Sequence, residues 1–266
     1  MFSPRHTKPA VILVPGAFSP TSVYHQVIPL LEAAGHSCVV VTLPSAGGNP
    51  PVQDFNEDVS AVTAALKRVI EHEGGSDCLL VMHSYGGVPG SEAVAGWDRA
   101  ERAKAGLKGG VLGLLYLASF VVPSGKSLFD MAGGKPPYFW DVQGDVVNAM
   151  KPEEVFFNDL PVDVAQYWAK LMKPQSLGSI NSPRASRGWK GIPSTYLLCE
   201  KDNAIPPEAQ EGMVAAVNAD GDDFILLRCD AGHMPQLSKP ELVVQLIKDA
   251  AEGKRGKEVK GVAEGS

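Results

Sequence analysis

The sequence predicts an α/β protein: a mostly parallel sheet of about six strands, helices on both of its faces, and a small, mainly helical cap. Three observations predict it. Short, near-continuous apolar runs alternate with amphipathic segments, as expected for strands buried on both faces and joined by helical crossovers. One such run, Leu79-Leu80-Val81-Met82-His83, ends in Ser84-Tyr85-Gly86-Gly87, the signature of a strand that turns sharply into a helix. From about Val121 to Arg187 the rhythm breaks into Pro, Gly and aromatic residues with no clear strand.

Taken in order, Ala10–Val14 is an apolar strand closed by the turn signal Pro15-Gly16. Ser22–Ala34 has helical spacing through Val23, Val27, Leu30 and Leu31, with Gly35 as a C-cap. Cys38–Leu43 is a β-branched run stopped by Pro44. Asp54–Glu73 reads as an amphipathic helix through Val59, Val62, Leu66 and Ile70, ended by Gly74-Gly75. Cys78–Met82 is the next strand, followed by a helix from Gly86 to about Ala105 and a further strand at Val111–Ala118. Beyond the interruption come the strand Ser194–Cys199, the helix Pro206–Asn218 and the strand Asp223–Cys229. The last helix, Pro240–Ala251, carries proline in its first turn, where no N–H is needed. Residues 1–120 and 188–252 thus form the expected core. Residues 121–187 form a cap inserted at the carboxyl edge of the sheet, where ligands bind in such folds, and 253–266 form a polar, flexible tail.

A chain of 266 residues suits one sizeable domain, and a net charge of −6 argues against nucleic acid as a partner. No apolar run approaches the ~18 residues of a membrane span. Met1 to Lys8 holds no apolar leader, so the expected location is cytoplasmic. Cys38, Cys78, Cys199 and Cys229 are widely spaced, which fits free thiols in a reducing compartment better than disulfides or a metal site. With no metal cluster, phosphate-binding glycine loop or dinucleotide fingerprint, no cofactor is expected. A homodimer is left open.

The strand-to-helix bend at Ser84 projects a hydroxyl clear of the sheet, and a hydroxyl becomes a nucleophile only when a base takes its proton. Of the six histidines, His6 is terminal, and His25, His36 and His72 fall in or beside surface helices. His83 is expected to point away from the serine it precedes. His233, in the loop after the last strand, is the candidate base. The orienting carboxylate is expected at another strand end, in Glu200-Lys201-Asp202-Asn203; Asp202 can turn inward, whereas Glu200 follows the strand directly and stays at the surface. Two backbone donors complete the set. Tyr85 supplies an N–H at a helix start, and Ala17 supplies one from the loop after the first strand.

These residues resemble the α/β-hydrolase superfamily. More narrowly, they resemble the small-cap group of plant methyl-ketone, methyl-salicylate and methyl-jasmonate esterases and aromatic hydroxynitrile lyases. Matching blocks are Val11 to Ala17, Leu30 to His36 with Leu43 to Pro50, the Ser84 elbow, and Cys199 to Pro206 with Gly232-His233-Met234. The resemblance implies Ser84 as nucleophile, Asp202 as orienting acid, His233 as base, and the Ala17 and Tyr85 amides as oxyanion hole. Two positions depart from the group: Pro15 stands where a histidine is usual, and Met82 where the elbow usually has glycine. Lyases of the group carry a lysine just after the catalytic histidine; Met234 stands there and favours the esterase side.

The expectation is therefore a hydrolase that cleaves a small carboxylic ester or lactone through an acyl-enzyme. The alternative is non-hydrolytic chemistry on the same scaffold: a C–C or cyanohydrin lyase, a cyclase or an acyltransferase. Phe18, Trp140, Phe157, Trp168 and Met234 are the expected pocket residues.

Overall fold

The computed structural model describes residues 8–72 and 75–254. The expectations for His6, for Glu73 and Gly74, and for the tail from residue 255 onward lie outside the described residues. The first half of the chain runs through β1 (Ala10–Val14), α1 (Val27–Ala33), β2 (Cys38–Val40), α2 (Asn56–Lys67), β3 (Asp77–His83), α3 (Gly87–Ala93), α4 (Arg99–Lys104) and β4 (Gly110–Leu117). Next come α5 (Leu128–Met131), β5 (Trp140–Gln143), β6 (Val146–Ala149), α6 (Pro152–Val155), α7 (Val162–Lys170), β7 (Gln175–Ser176) and α8 (Leu177–Asn181). The chain closes with β8 (Ser194–Cys199), α9 (Pro207–Ala219), β9 (Phe224–Cys229), α10 (Pro235–Ser238) and α11 (Pro240–Ala251).

Six strands form the main sheet in the order β2-β1-β3-β4-β8-β9, and every pairing in it is parallel. β1 is buried along its whole length and β3 along all but its first residue, which is why both read as unbroken apolar runs. The strand order reverses between β1 and β3. In such sheets the carboxyl ends at that reversal are where ligands are held. Val14 pairs with Met82, so the loop holding Ala17 and the turn holding Ser84 leave the sheet side by side.

Several elements differ from the sequence expectation for local reasons. The run Ser22–Ala34 splits into a single 3-10 turn, Thr21–Tyr24, and α1. Pro29 has no N–H for a continuous helix, and starting α1 at Val27 puts it in the first turn, where none is required. The helix expected from Gly86 to Ala105 breaks at Gly96, whose φ is +82°, and restarts as α4 with the Asp98 carboxylate capping the Glu101 N–H at 2.7 Å. β2 pairs over three residues only, at the sheet edge.

Residues 121–187 carry four short helices joined by long loops, and also a three-stranded antiparallel sheet, β5-β6-β7, that the expectation of a mainly helical segment lacks. Its hairpin turns at Gly144, in the left-handed region with φ +58°. These strands have two to four residues, too short for a period-two pattern to register.

Candidate active site

The elbow is built by β3 arriving at Ser84 with φ +51°, a conformation that costs a non-glycine residue free energy unless its surroundings hold it. The holding groups are the Phe120 N–H and the Ser119 hydroxyl, which both donate to the Ser84 carbonyl, at 3.1 and 2.8 Å. Gly86 lets the loop after β1 close on the turn, because a Cβ there would lie 2.5 Å from the Pro15 carbonyl oxygen. Gly87 does the same for Phe120 and Ser119, in the loop after β4. The missing glycine at Met82 has a counterpart on α3: a Cβ on Gly90 would lie 2.5 Å from the Met82 sulfur. The buried thioether therefore occupies space that Gly90 vacates, and the bend keeps its form.

Three loops at one edge of the sheet bring Ser84, His233 and Asp202 together. The Ser84 hydroxyl donates to His233 Nε2 at 3.0 Å, and His233 Nδ1–H donates to Asp202 Oδ2 at 2.8 Å. All three are buried, with Ser84 8%, His233 1% and Asp202 4% exposed. Asp202 Oδ1 accepts the N–H groups of Ala204 and Ile205 at 2.8 and 2.9 Å, and Oδ2 also accepts Gln210 Nε2–H at 3.0 Å. These donors fix the orientation of the carboxylate against the His233 ring. Glu200 lies at the surface, as expected.

His83 does not hydrogen-bond Ser84. Its Nε2–H donates to the His233 carbonyl at 2.8 Å, and the two rings lie 4.8 Å apart. Full burial, and the charge His233 would carry, hold the His83 pKa well below the ordinary histidine value, so His83 is neutral. It props His233 from behind. The Gly232 N–H donates to Asp159 Oδ2 at 2.6 Å, which pins the same loop from the 121–187 segment. Neither contact could be read from sequence, because both link residues more than seventy positions apart.

A cavity of about 370 Å³ opens over Ser84, and Ala17, Phe18, Tyr85, Phe139, Trp140 and Phe156 are among its walls. Among the described residues, neither the Ala17 nor the Tyr85 N–H has a protein acceptor. Three expected pocket residues do not line the cavity. Trp168 is buried on the inner face of α7, its ring 5.3 Å from that of His25. Phe157 turns into the core while its neighbour Phe156 faces the cavity and stands 5.5 Å from the His233 ring. Met234, beside His233, is buried, and its sulfur accepts from Gln236. In each case an apolar side chain had two apolar destinations, and periodicity does not choose between them. Phe120, Met131 and Ile205 also line the cavity and carry no local signal of it.

The family model described as "Alpha/beta hydrolase family" matches residues 11–246. The chain is 34% identical over 249 residues to the alpha/beta hydrolase nvfD of Aspergillus novofumigatus, covering 92% of this chain and 97% of that protein. It is 24% identical over 279 residues to methylesterase 7 of Arabidopsis thaliana, covering 93% and 98%. In three dimensions it is similar to the crystal structure of a pyrethroid hydrolase from Sphingobium faniae, with a TM-score of 0.70 at 23% identity over 92% of this chain and 97% of that one.

Proposed function

The chain belongs to the alpha/beta hydrolase family, and from that premise we propose that it cleaves a small carboxylic ester or lactone through an acyl-enzyme on Ser84. One observation carries the reading: the continuous hydrogen-bonded relay from Ser84 through His233 to Asp202, at the floor of a largely apolar cavity. His233 Nε2 takes the hydroxyl proton as Ser84 Oγ attacks the carbonyl carbon. Asp202 holds the imidazole tautomer and stabilises the imidazolium. The Ala17 and Tyr85 N–H groups hold the tetrahedral oxyanion, and each such donor is worth ~100–1,000-fold in turnover. His233 then protonates the leaving oxygen. A water molecule, deprotonated by the same histidine, releases the acid and restores Ser84. The segment 121–187 acts as a cap whose aromatic wall accepts an apolar acyl or alcohol group.

The reading is tested by the p-nitrophenolate burst from p-nitrophenyl acetate. Wild type is expected to show a burst of one equivalent followed by steady turnover. Ser84→Ala is expected to lose both, with kcat down on the order of 10⁶-fold. Identical behaviour of the two proteins overturns the serine hydrolase assignment.

A further inference from the structure

A buried polar network joins the two backbone segments that bear the oxyanion donors, and its centre comes from the cap. Gln175, on β7, is fully buried. Its Oε1 accepts the Phe18 N–H at 3.4 Å, while Nε2–H groups donate to the hydroxyls of Ser45 at 2.7 Å and Ser179 at 2.8 Å. These partners leave the amide only one orientation, since a flip would set two acceptors or two donors face to face. The Ser45 hydroxyl donates onward to Asp58 Oδ2 at 2.5 Å, and the same oxygen accepts the Tyr85 phenol at 2.6 Å. Asp58 Oδ1 accepts the Ser45 N–H at 3.0 Å. Apart from the branch through Ser179, the donors run one way, from Phe18 and Tyr85 to a single buried carboxylate.

Phe18 needs such support. Its φ is +62°, and among the described residues it is one of four non-glycine positions with positive φ, Ser84 being another. Its carbonyl is held as well, by the Lys173 N–H at 2.8 Å. Two residues of one cap segment thus grip both sides of Phe18. The peptide between Ala17 and Phe18 is the one that Gln175 orients, and it sets the far side of Ala17, which faces the cavity.

We propose that Gln175 is a positioning residue for the oxyanion hole. Through Phe18 it fixes the direction of the Ala17 N–H, and through Ser45 and Asp58 it ties that donor to Tyr85. The inference rests on the reading of Ala17 and Tyr85 as the hole. It makes cap placement and transition-state stabilisation one event, because the cap strand itself supplies the amide.

A network that merely stabilised the fold would affect all ligands alike, so the test compares two. A trifluoromethyl ketone forms a hemiketal with Ser84 whose oxyanion must enter the hole; the matching secondary alcohol fills the same cavity without one. Gln175→Met keeps length and removes all three hydrogen bonds. It is expected to lower kcat for p-nitrophenyl butyrate about 10-fold, less than outright loss of a donor. It is expected to weaken the ketone by a similar factor and to leave KM and the alcohol within about twofold of wild type. Ser45→Ala, which removes the hydroxyl between Gln175 and Asp58 but keeps the Gln175 bond to Phe18, is expected to move the same quantities in the same direction by a smaller factor, and decides the matter should Gln175→Met not fold. Unchanged kcat, or equal weakening of ketone and alcohol, overturns the positioning role. Wild type that turns over no ester and binds no ketone overturns the hydrolase reading instead, and this inference with it.

Discussion

Met82 fills the space that Gly90 leaves beside the elbow, and that packing can be measured. Adding a methyl at Gly90 meets the confined Met82 side chain, an overpacking cost of ~1–3 kcal/mol that outweighs the gain in helix propensity of about 1 kcal/mol. Gly90→Ala is therefore expected to lower thermal stability in the wild-type background and to raise it when Met82→Gly has opened the space. Additivity in a double-mutant cycle would show that the two positions are not packed against one another.

His83 makes a pH prediction. Its folded-state pKa lies below its unfolded value, so the native state binds fewer protons than the unfolded chain between that depressed value and about 6.5. Stability from this group is present above that window and is lost as pH falls through it, by up to ~1.4 kcal/mol per pH unit. Urea midpoints between about pH 7 and about pH 5 are expected to fall less steeply for His83→Gln, which keeps a donor for the His233 carbonyl, than for wild type. Parallel slopes would assign the acid loss to other groups.

At the scale of elements, the six core strands announce themselves, because each is a local apolar run closed by Pro, Gly or a polar residue. The breaks inside Ser22–Ala34 and after Ala93 were also written in the chain, at Pro29 and Gly96, but masked by apolar spacing that continued past them. The cap was harder to read. Its aromatic residues divide between its own core and the cavity wall, and α7 shows the outcome. Trp168→Ala is expected to lower the melting temperature while leaving KM for a series of aryl and alkyl esters within about twofold, as Trp168 packs against His25. Trp140→Ala, at the cavity wall, is expected to reorder that series with a smaller loss of stability. An unchanged substrate order for Trp140→Ala would remove β5 from the substrate site.

At the scale of the molecule, residues 154–159 and the loops that carry Asp202 and His233 are held together. Asn158 Nδ2–H donates to the Lys201 carbonyl at 2.8 Å, Asn203 Nδ2–H to the Glu154 carbonyl at 2.8 Å, and Asp159 receives the Gly232 N–H. Both the acid loop and the base loop are thereby anchored to residues 154–159. Asp159→Ala is expected to lower kcat about 10-fold by freeing the base loop, and Asp159→Asn, which keeps an acceptor for Gly232, to recover most of it. Equal losses in the two variants would mean that the charge, and not the hydrogen bond, matters.

The sequence by itself determined the order of the six core strands, the serine at the bend, and Asp202 and His233 past two later strand ends. Each of these is a short-range signal: a run of one period, a turn residue, a polar group just past it. Only the tertiary structure decided that His83 braces His233, that Gly90 makes room for Met82, which aromatic rings face the cavity, and that Gln175 reaches Phe18. These contacts join residues from eight to more than a hundred and fifty positions apart, and what brings them together is the closing of strands and cap around one edge of the sheet. A residue's own neighbours in the chain hold no record of that closure.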